Sequence, residues 1–133
     1  LDENVETLML EGDAEVAWGN RQNNTIIGSE TANVLIGDGG IDYLKGNGGD
    51  DIFVILRGGS NDLDVVADFK GTAKGGGDRL AFSEFEFGLG ATVTRLSQTS
   101  FEVASYDGII KQQFILADFR DTDELRLEDY FFA

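Results

Sequence analysis

A nine-residue period governs the first half of the chain, and no other feature constrains the fold as tightly. Four units follow without a gap: GNRQNNTII (Gly19 to Ile27), GSETANVLI (Gly28 to Ile36), GDGGIDYLK (Gly37 to Lys45) and GNGGDDIFV (Gly46 to Val54). Extended backwards, the register gives LDENVETLM (Leu1 to Met9) and LEGDAEVAW (Leu10 to Trp18), degenerate units that have lost the leading glycine. The sixth place then reads Glu6, Glu15, Asn24, Asn33, Asp42, Asp51, and the eighth reads Leu8, Ala17, Ile26, Leu35, Leu44, Phe53. Four glycines and six apolar residues fall into their columns by chance with odds of roughly one in a million.

A helix cannot carry this pattern, because an apolar column repeating every nine residues drifts around a 3.6-residue turn. Short strands separated by turns repeat cleanly, and Val, Ile, Thr and Tyr beside the eighth place favour strand. The expected fold is all-β. Two units make one coil, alternate units feed two parallel sheets, and eighth-place side chains meet between them. Glycine at the first, third and fourth places is expected to supply positive φ and turn carbonyls inward. Carbonyls and the sixth-place carboxylate would then form an all-oxygen cage.

Composition narrows the ligand. Asp and Glu number 25 against 10 Lys and Arg, a formal charge of −15, so a compact state calls for counter-cations. The same balance excludes the basic clusters that nucleic acid requires and disfavours an anionic membrane surface. No apolar run is long enough to insert into a membrane. With no Cys and no His, disulfides, thiol chemistry and the common transition-metal sites are all absent. Hard oxygen ligands remain. A hydrophobic content of 41% is too high for a merely solvating acidic tail.

The units GDGGIDYLK and GNGGDDIFV resemble the RTX nonapeptide GGxGxDxUx, a calcium-binding repeat. The resemblance covers Gly19 to Val54 strongly and Leu1 to Trp18 weakly. It implies a right-handed parallel β-roll (a β-solenoid) over residues 1–63, followed by a cap with antiparallel strands over 64–133. It also implies calcium held between turns on one side of the roll, by first- and third-place carbonyls and sixth-place carboxylates. Carried over by position, one ion uses Gly37, Gly39 and Asp42, and another Gly46, Gly48 and Asp51. Their upstream partner turns are Gly19, Arg21 and Asn24 for the first, and Gly28, Glu30 and Asn33 for the second. Here the chain departs from the family pattern: the asparagines are neutral, and Arg21 and Glu30 stand at third places. These upstream turns are expected to bind weakly or not at all, closed by Asn hydrogen bonds. The rival reading, that Asp42 and Asp51 are ordinary turn residues, generates no nine-residue column.

After Val54 the segment ILRGGSNDLDVVADFKGTAKGGGDRLAF resembles the exit from such rolls, with Asp64 and Asp68 as further ligands and Asp62 and Asp78 as additional candidates. GTAKGGGD is not a phosphate loop, because no Gly-Lys-Ser/Thr follows. From Ala91 to Leu116 the alternation becomes antiparallel, and Asp107-Gly108 signals a two-residue hairpin. The terminus, Asp129 followed by Tyr130, Phe131, Phe132 and Ala133, resembles the signal read by type I secretion exporters. Its removal is expected to leave folding of the roll mostly intact.

The resemblance thus implies a secreted, extracellular calcium-binding module that folds on calcium and supports export of a larger protein, and Leu1, which follows no initiator Met, fits a piece of such a chain. It is not expected to be an enzyme, having no nucleophile or base motif. The alternative is a polysaccharide-binding module attached to an extracellular carbohydrate-active enzyme such as an alginate epimerase, with Tyr43, Lys45 and Arg57 beginning a sugar-binding row. Seventh- and ninth-place side chains should point outward. One outer face then gathers Val16, Trp18, Val34, Ile36, Ile52 and Val54, and the C-terminal segment is expected to lie across it.

Overall fold

The computed structural model describes residues 2–57, 62–83 and 87–133. Leu1 of the first unit and positions 58–61 of the exit segment lie outside the described residues. Among these residues the protein is all-β, with parallel sheets and almost no helix beyond two short 3-10 turns, Thr72–Lys74 and Leu127–Asp129. Alternate strands enter different sheets. One sheet takes β1 (Thr7–Met9), β3 (Thr25–Ile27), β5 (Tyr43–Lys45) and β7 (Asp64–Val66) in parallel, then β11 (Lys111–Leu116), β10 (Ser100–Ala104) and β9 (Thr92–Arg95). The other takes β2 (Val16–Asn20), β4 (Val34–Asp38), β6 (Ile52–Ile55), β8 (Arg79–Phe82) and β12 (Tyr130–Phe132), all parallel.

Register follows the repeat. Leu8 lies opposite Ile26 and Ile26 opposite Leu44, while Ala17 lies opposite Leu35 and Leu35 opposite Phe53. Because side chains alternate along a strand, the eighth place of every unit enters the interior. Ala17, Ile26, Leu35, Leu44 and Phe53 are buried there, and Leu8 is half-buried at the end of the stack. Toward the C-terminus the interior becomes aromatic: Phe101 stacks on Phe114 at 5.6 Å, and Phe82 meets Phe114 at 5.5 Å.

The C-terminal region extends both sheets. β11 joins β7 in parallel and β10 in antiparallel pairing, and β9 closes the antiparallel part. The β10–β11 connection corrects the two-residue hairpin expected at Asp107-Gly108. Ser105 N–H donates to the Ile110 carbonyl at 2.8 Å, so four residues, 106–109, form the loop. The Asp107 carboxylate explains the longer turn, accepting from the Ser105 hydroxyl at 2.6 Å and from Ile109 N–H at 3.0 Å.

The expected cover over the apolar outer face is overturned. Trp18 is 57% and Val16 54% exposed. β12 pairs with β8 at the sheet edge, and β9 to β11 extend the opposite sheet, so neither lies across this face. The physical reason is that a strand satisfies its backbone by edge pairing, which a strand crossing a sheet face cannot do. Trp18→Ala is therefore expected to cost less than about 1 kcal/mol, whereas Phe53→Ala, emptying the interior, costs about 3–5 kcal/mol. Urea midpoints in saturating calcium measure both, and equal losses would contradict this placement.

Candidate functional site

Turns eighteen residues apart stack on two flanks. A Cβ added to Gly39 would lie 3.6 Å from Arg21 Cα, and one added to Gly48 would lie 3.3 Å from Glu30 Cα, so third place sits over third place. The structure thus brings Gly19, Arg21 and Asn24 beside Gly37, Gly39 and Asp42 on one flank. On the other it brings Gly28, Glu30 and Asn33 beside Gly46, Gly48 and Asp51. Arg21 and Glu30 are exposed, and the Glu30 carboxylate lies over Gly48, where an added Cβ would sit 2.6 Å from Oε2.

The sixth-place residues form a ladder through each flank. Asn24 N–H donates to Asp42 Oδ1 at 2.8 Å, and Asp42 N–H donates to Asp64 Oδ1 at 3.3 Å. Opposite, Asn33 N–H donates to Asp51 Oδ1 at 2.9 Å, and Asp51 N–H donates to Asp78 Oδ1 at 2.8 Å. All six side chains are buried, whereas Glu6 and Glu15 are exposed. The asparagine oxygens are occupied: Asn24 Oδ1 accepts from Asn20 N–H at 2.8 Å and Asn33 Oδ1 from Ser29 N–H at 2.7 Å. These turns are closed by Asn hydrogen bonds, as their sequence suggested.

The aspartate turns differ in one atom each. Among the described residues, Asp42 Oδ2 and Asp51 Oδ2 are buried and have no hydrogen-bond partner. Each lies against the first-place glycine of its own turn, Gly37 or Gly46, where any Cβ would collide with it. This corrects the reason given for those glycines. Positive φ falls on the fourth place as expected, at Gly40 (92°) and Gly49 (86°), and also on the second, at Asp38 (79°) and Asn47 (66°), but not on the first or third place of these turns. First-place glycine makes room for a carboxylate.

Burial drives the electrostatics. Removal from water pushes the Asp51 carboxyl up to about 7, with Asp78, Asp68 and Asp50 adding repulsion against a lowering bond from Asn33 N–H. Asp78 is pushed up to about 6, again chiefly by burial. The Asp42–Asp64 pair titrates together, and both carboxyls are raised, by burial first. An isolated buried carboxylate is costly unless something neutralises it.

These residues fit a hard cation. Both orphaned groups are oxygen acceptors, and further carboxylates adjoin them. Among the described residues no three His, Cys, Asp or Glu side chains converge as a ready metal cluster, so main-chain carbonyls would have to complete the set. Calcium there would be held by Asp42 with Asp64 on one flank and by Asp51 with Asp78 on the other. It would supply charge neutralisation rather than reaction chemistry.

Asp68 sits apart from that pattern, its carboxylate accepting from Gly46 N–H and Asn47 N–H at 2.8 Å each. Asp62 is half-buried, contributing to the field at Asp42 and Asp64. Sequence reading missed Asp50, which adds to the field at Asp51 and Asp78 and packs beside Gly77. With Asp68, Asp78 and Asp118 it lines an open cleft of about 580 Å³. It also missed the second place, where Asn20, Ser29, Asp38 and Asn47 form a column of small polar residues suited to turns. Among the described residues no helix is long and apolar enough to cross a membrane. No family model, no curated protein and no solved structure matches this chain.

Proposed function

We propose that this chain is a calcium-binding, right-handed parallel β-roll of the RTX type, a module that closes on extracellular calcium and supports secretion and stability of a larger protein. The observation that carries this reading is the pair of buried carboxylate oxygens, Asp42 Oδ2 and Asp51 Oδ2, with no partner in turns that repeat every nine residues. A buried acceptor with raised proton affinity binds either a proton or a cation, and millimolar extracellular calcium competes well for all-oxygen sites. The alternation of strands between two parallel sheets supports the β-roll, and the charge of −15 supports a chain that stays open where calcium is scarce. In this reading the terminal residues from Asp129 are read by a type I exporter while the chain is unfolded, and the module has no catalytic role.

The polysaccharide reading needs a row of aromatic or basic side chains. Tyr43 and Lys45 do project from an outer face, but their columns continue as Thr7, Thr25 and Val65, and as Met9 and Ile27. Arg57, also exposed, follows β6 of the other sheet, so one aromatic and one lysine are what this face contributes to a row, and calcium is the better-supported ligand.

Calcium titration of variants tests the assignment. Asp42→Ala and Asp51→Ala are expected to weaken binding about tenfold or more, the loss of a charged ligand. Glu6→Ala and Glu15→Ala, in exposed degenerate turns, should change it by less than about twofold. Equal weakening by all four would sink the site assignment.

A further inference from the structure

Asp129 is completely buried, and both of its oxygens are engaged. Oδ1 accepts from Thr72 N–H at 2.7 Å and from the Thr72 hydroxyl at 2.8 Å, while Oδ2 accepts from Arg126 N–H at 2.8 Å. Gly71 packs on it so closely that a Cβ there would lie 2.7 Å from Asp129 Cγ. Nothing in the calcium reading uses this carboxylate.

What it grips is the loop that carries Asp78. At the base of that loop Lys70 N–H donates to Asp78 Oδ2 at 2.9 Å, and Asp78 N–H donates to the Lys70 carbonyl at 3.0 Å. Between them run Gly71, Gly75, Gly76 and Gly77, a composition with much backbone freedom to lose on ordering. Such a loop does not by itself hold a carboxylate in one place. Residues 129–133 restrain it on both sides. Asp129 fixes the Thr72 turn, and β12 pairs with β8, which begins directly after Asp78 and accepts Ala133 N–H on the Phe82 carbonyl at 2.7 Å. Asp64 needs no such clamp, because it lies within β7, paired between β5 and β11.

Resting on the calcium reading above, we infer that Asp129 is a positioning residue for the Asp51–Asp78 cation site. Docking of the C-terminal strand, through Asp129, holds the glycine loop so that Asp78 meets Asp51. The Asp42–Asp64 site on the opposite flank is independent of it. The terminal strand and one of the two sites are then completed together.

Calcium titration by calorimetry on the full chain tests this, with Asp42→Ala and Asp51→Ala assigning each binding step to a flank. Asp129→Asn replaces Oδ2 or Oδ1 by a donor facing donors, and is expected to weaken the Asp51–Asp78 step about tenfold while moving the other step by less than about twofold. Thr72→Val removes one hydroxyl bond and keeps the backbone donor, so it serves as the milder variant, with about threefold weakening at the same step. In the calcium-loaded chain, amide exchange at Lys70 and Asp51, whose N–H groups donate to Asp78, should accelerate in both variants while exchange at Asp42 does not. A wild-type chain that takes up no calcium overturns the calcium reading and this inference with it. A wild type that binds, with variants that weaken both steps alike or neither, overturns the inference alone.

Discussion

Stripped of calcium at pH 7.5, the chain is expected to lose most of its β signal in circular dichroism, and millimolar calcium should restore it. The formal charge is −15, and the folded state gathers Asp42, Asp51, Asp64 and Asp78 into buried positions. Each cation that binds only the folded state adds about 2.7 kcal/mol at a hundredfold excess over its dissociation constant, so two sites add about 5 kcal/mol. Domains of this size have total stabilities of about 5–15 kcal/mol, so losing both sites is comparable to losing the fold. Magnesium should substitute poorly, because it holds its water and demands a tighter octahedron. Emission from Trp18 is a poor reporter of the transition, since that ring is already more than half exposed in the folded state. A β spectrum unchanged by calcium removal would defeat the claim.

The part of the fold set by the repeat was legible, because the eighth-place column states which side chains are inside. The parallel pairing of Leu8, Ile26 and Leu44, and of Ala17, Leu35 and Phe53, follows from that column. The sixth-place column likewise marks Asn24, Asn33, Asp42 and Asp51, all four of them buried. Legibility ended where the period ended. Asp78 takes the place below Asp51 although twenty-seven residues separate them, since a glycine loop replaces the regular turn. Twenty-seven is three periods where the regular stack uses two, so the register puts Asp78 at a sixth place and Leu80 at an eighth without saying which sheet receives them. The outer face failed for a different reason: its six apolar residues were read correctly as outward, but hydrophobic area alone does not say which surface a terminal strand will choose. Backbone pairing decided it, and β12 took the open edge beside β8. That choice also makes the terminal residues part of the fold, with Asp129 buried and Tyr130 and Phe132 packed against the core. Their removal should therefore destabilise the folded chain, contrary to what the terminal motif alone suggested.

In the absence of calcium, acid should stabilise this protein, and Asp51→Asn should stabilise it further at high pH. A carboxyl whose folded value lies above its unfolded value keeps its proton in the folded state where the unfolded chain has released it. The folded state then binds more protons than the unfolded state, and stability falls as pH rises. For Asp51 the unfolded value is 3.8 and the folded value about 7, so the loss begins near pH 4 and is complete above about pH 8. At about 1.4 kcal/mol per unit this single group removes about 4 kcal/mol from the calcium-free fold. Asp78 and the Asp42–Asp64 pair act in the same direction, being raised chiefly by burial. Calcium reverses the sign, because it binds the ionised forms. The calcium-loaded fold should weaken as pH drops through the same window and protons displace the ion. Asn at the sixth place already closes the turns at Asn24 and Asn33 without a charge. Asp51→Asn removes the ionisation penalty while retaining an oxygen to accept from Asn33 N–H. At pH 8 without calcium this variant should exceed the wild type by about 2–4 kcal/mol, and in saturating calcium it should fall below it. Circular dichroism at pH 4.5, 6 and 8 without calcium, where the remaining β signal reports the folded fraction, and urea midpoints at the same pH values in saturating calcium read all of these signs. A calcium-free wild type that grows more stable toward pH 8, or an Asp51→Asn chain less stable than wild type under those conditions, would show that the buried carboxylates are neutralised by something other than a proton or a cation.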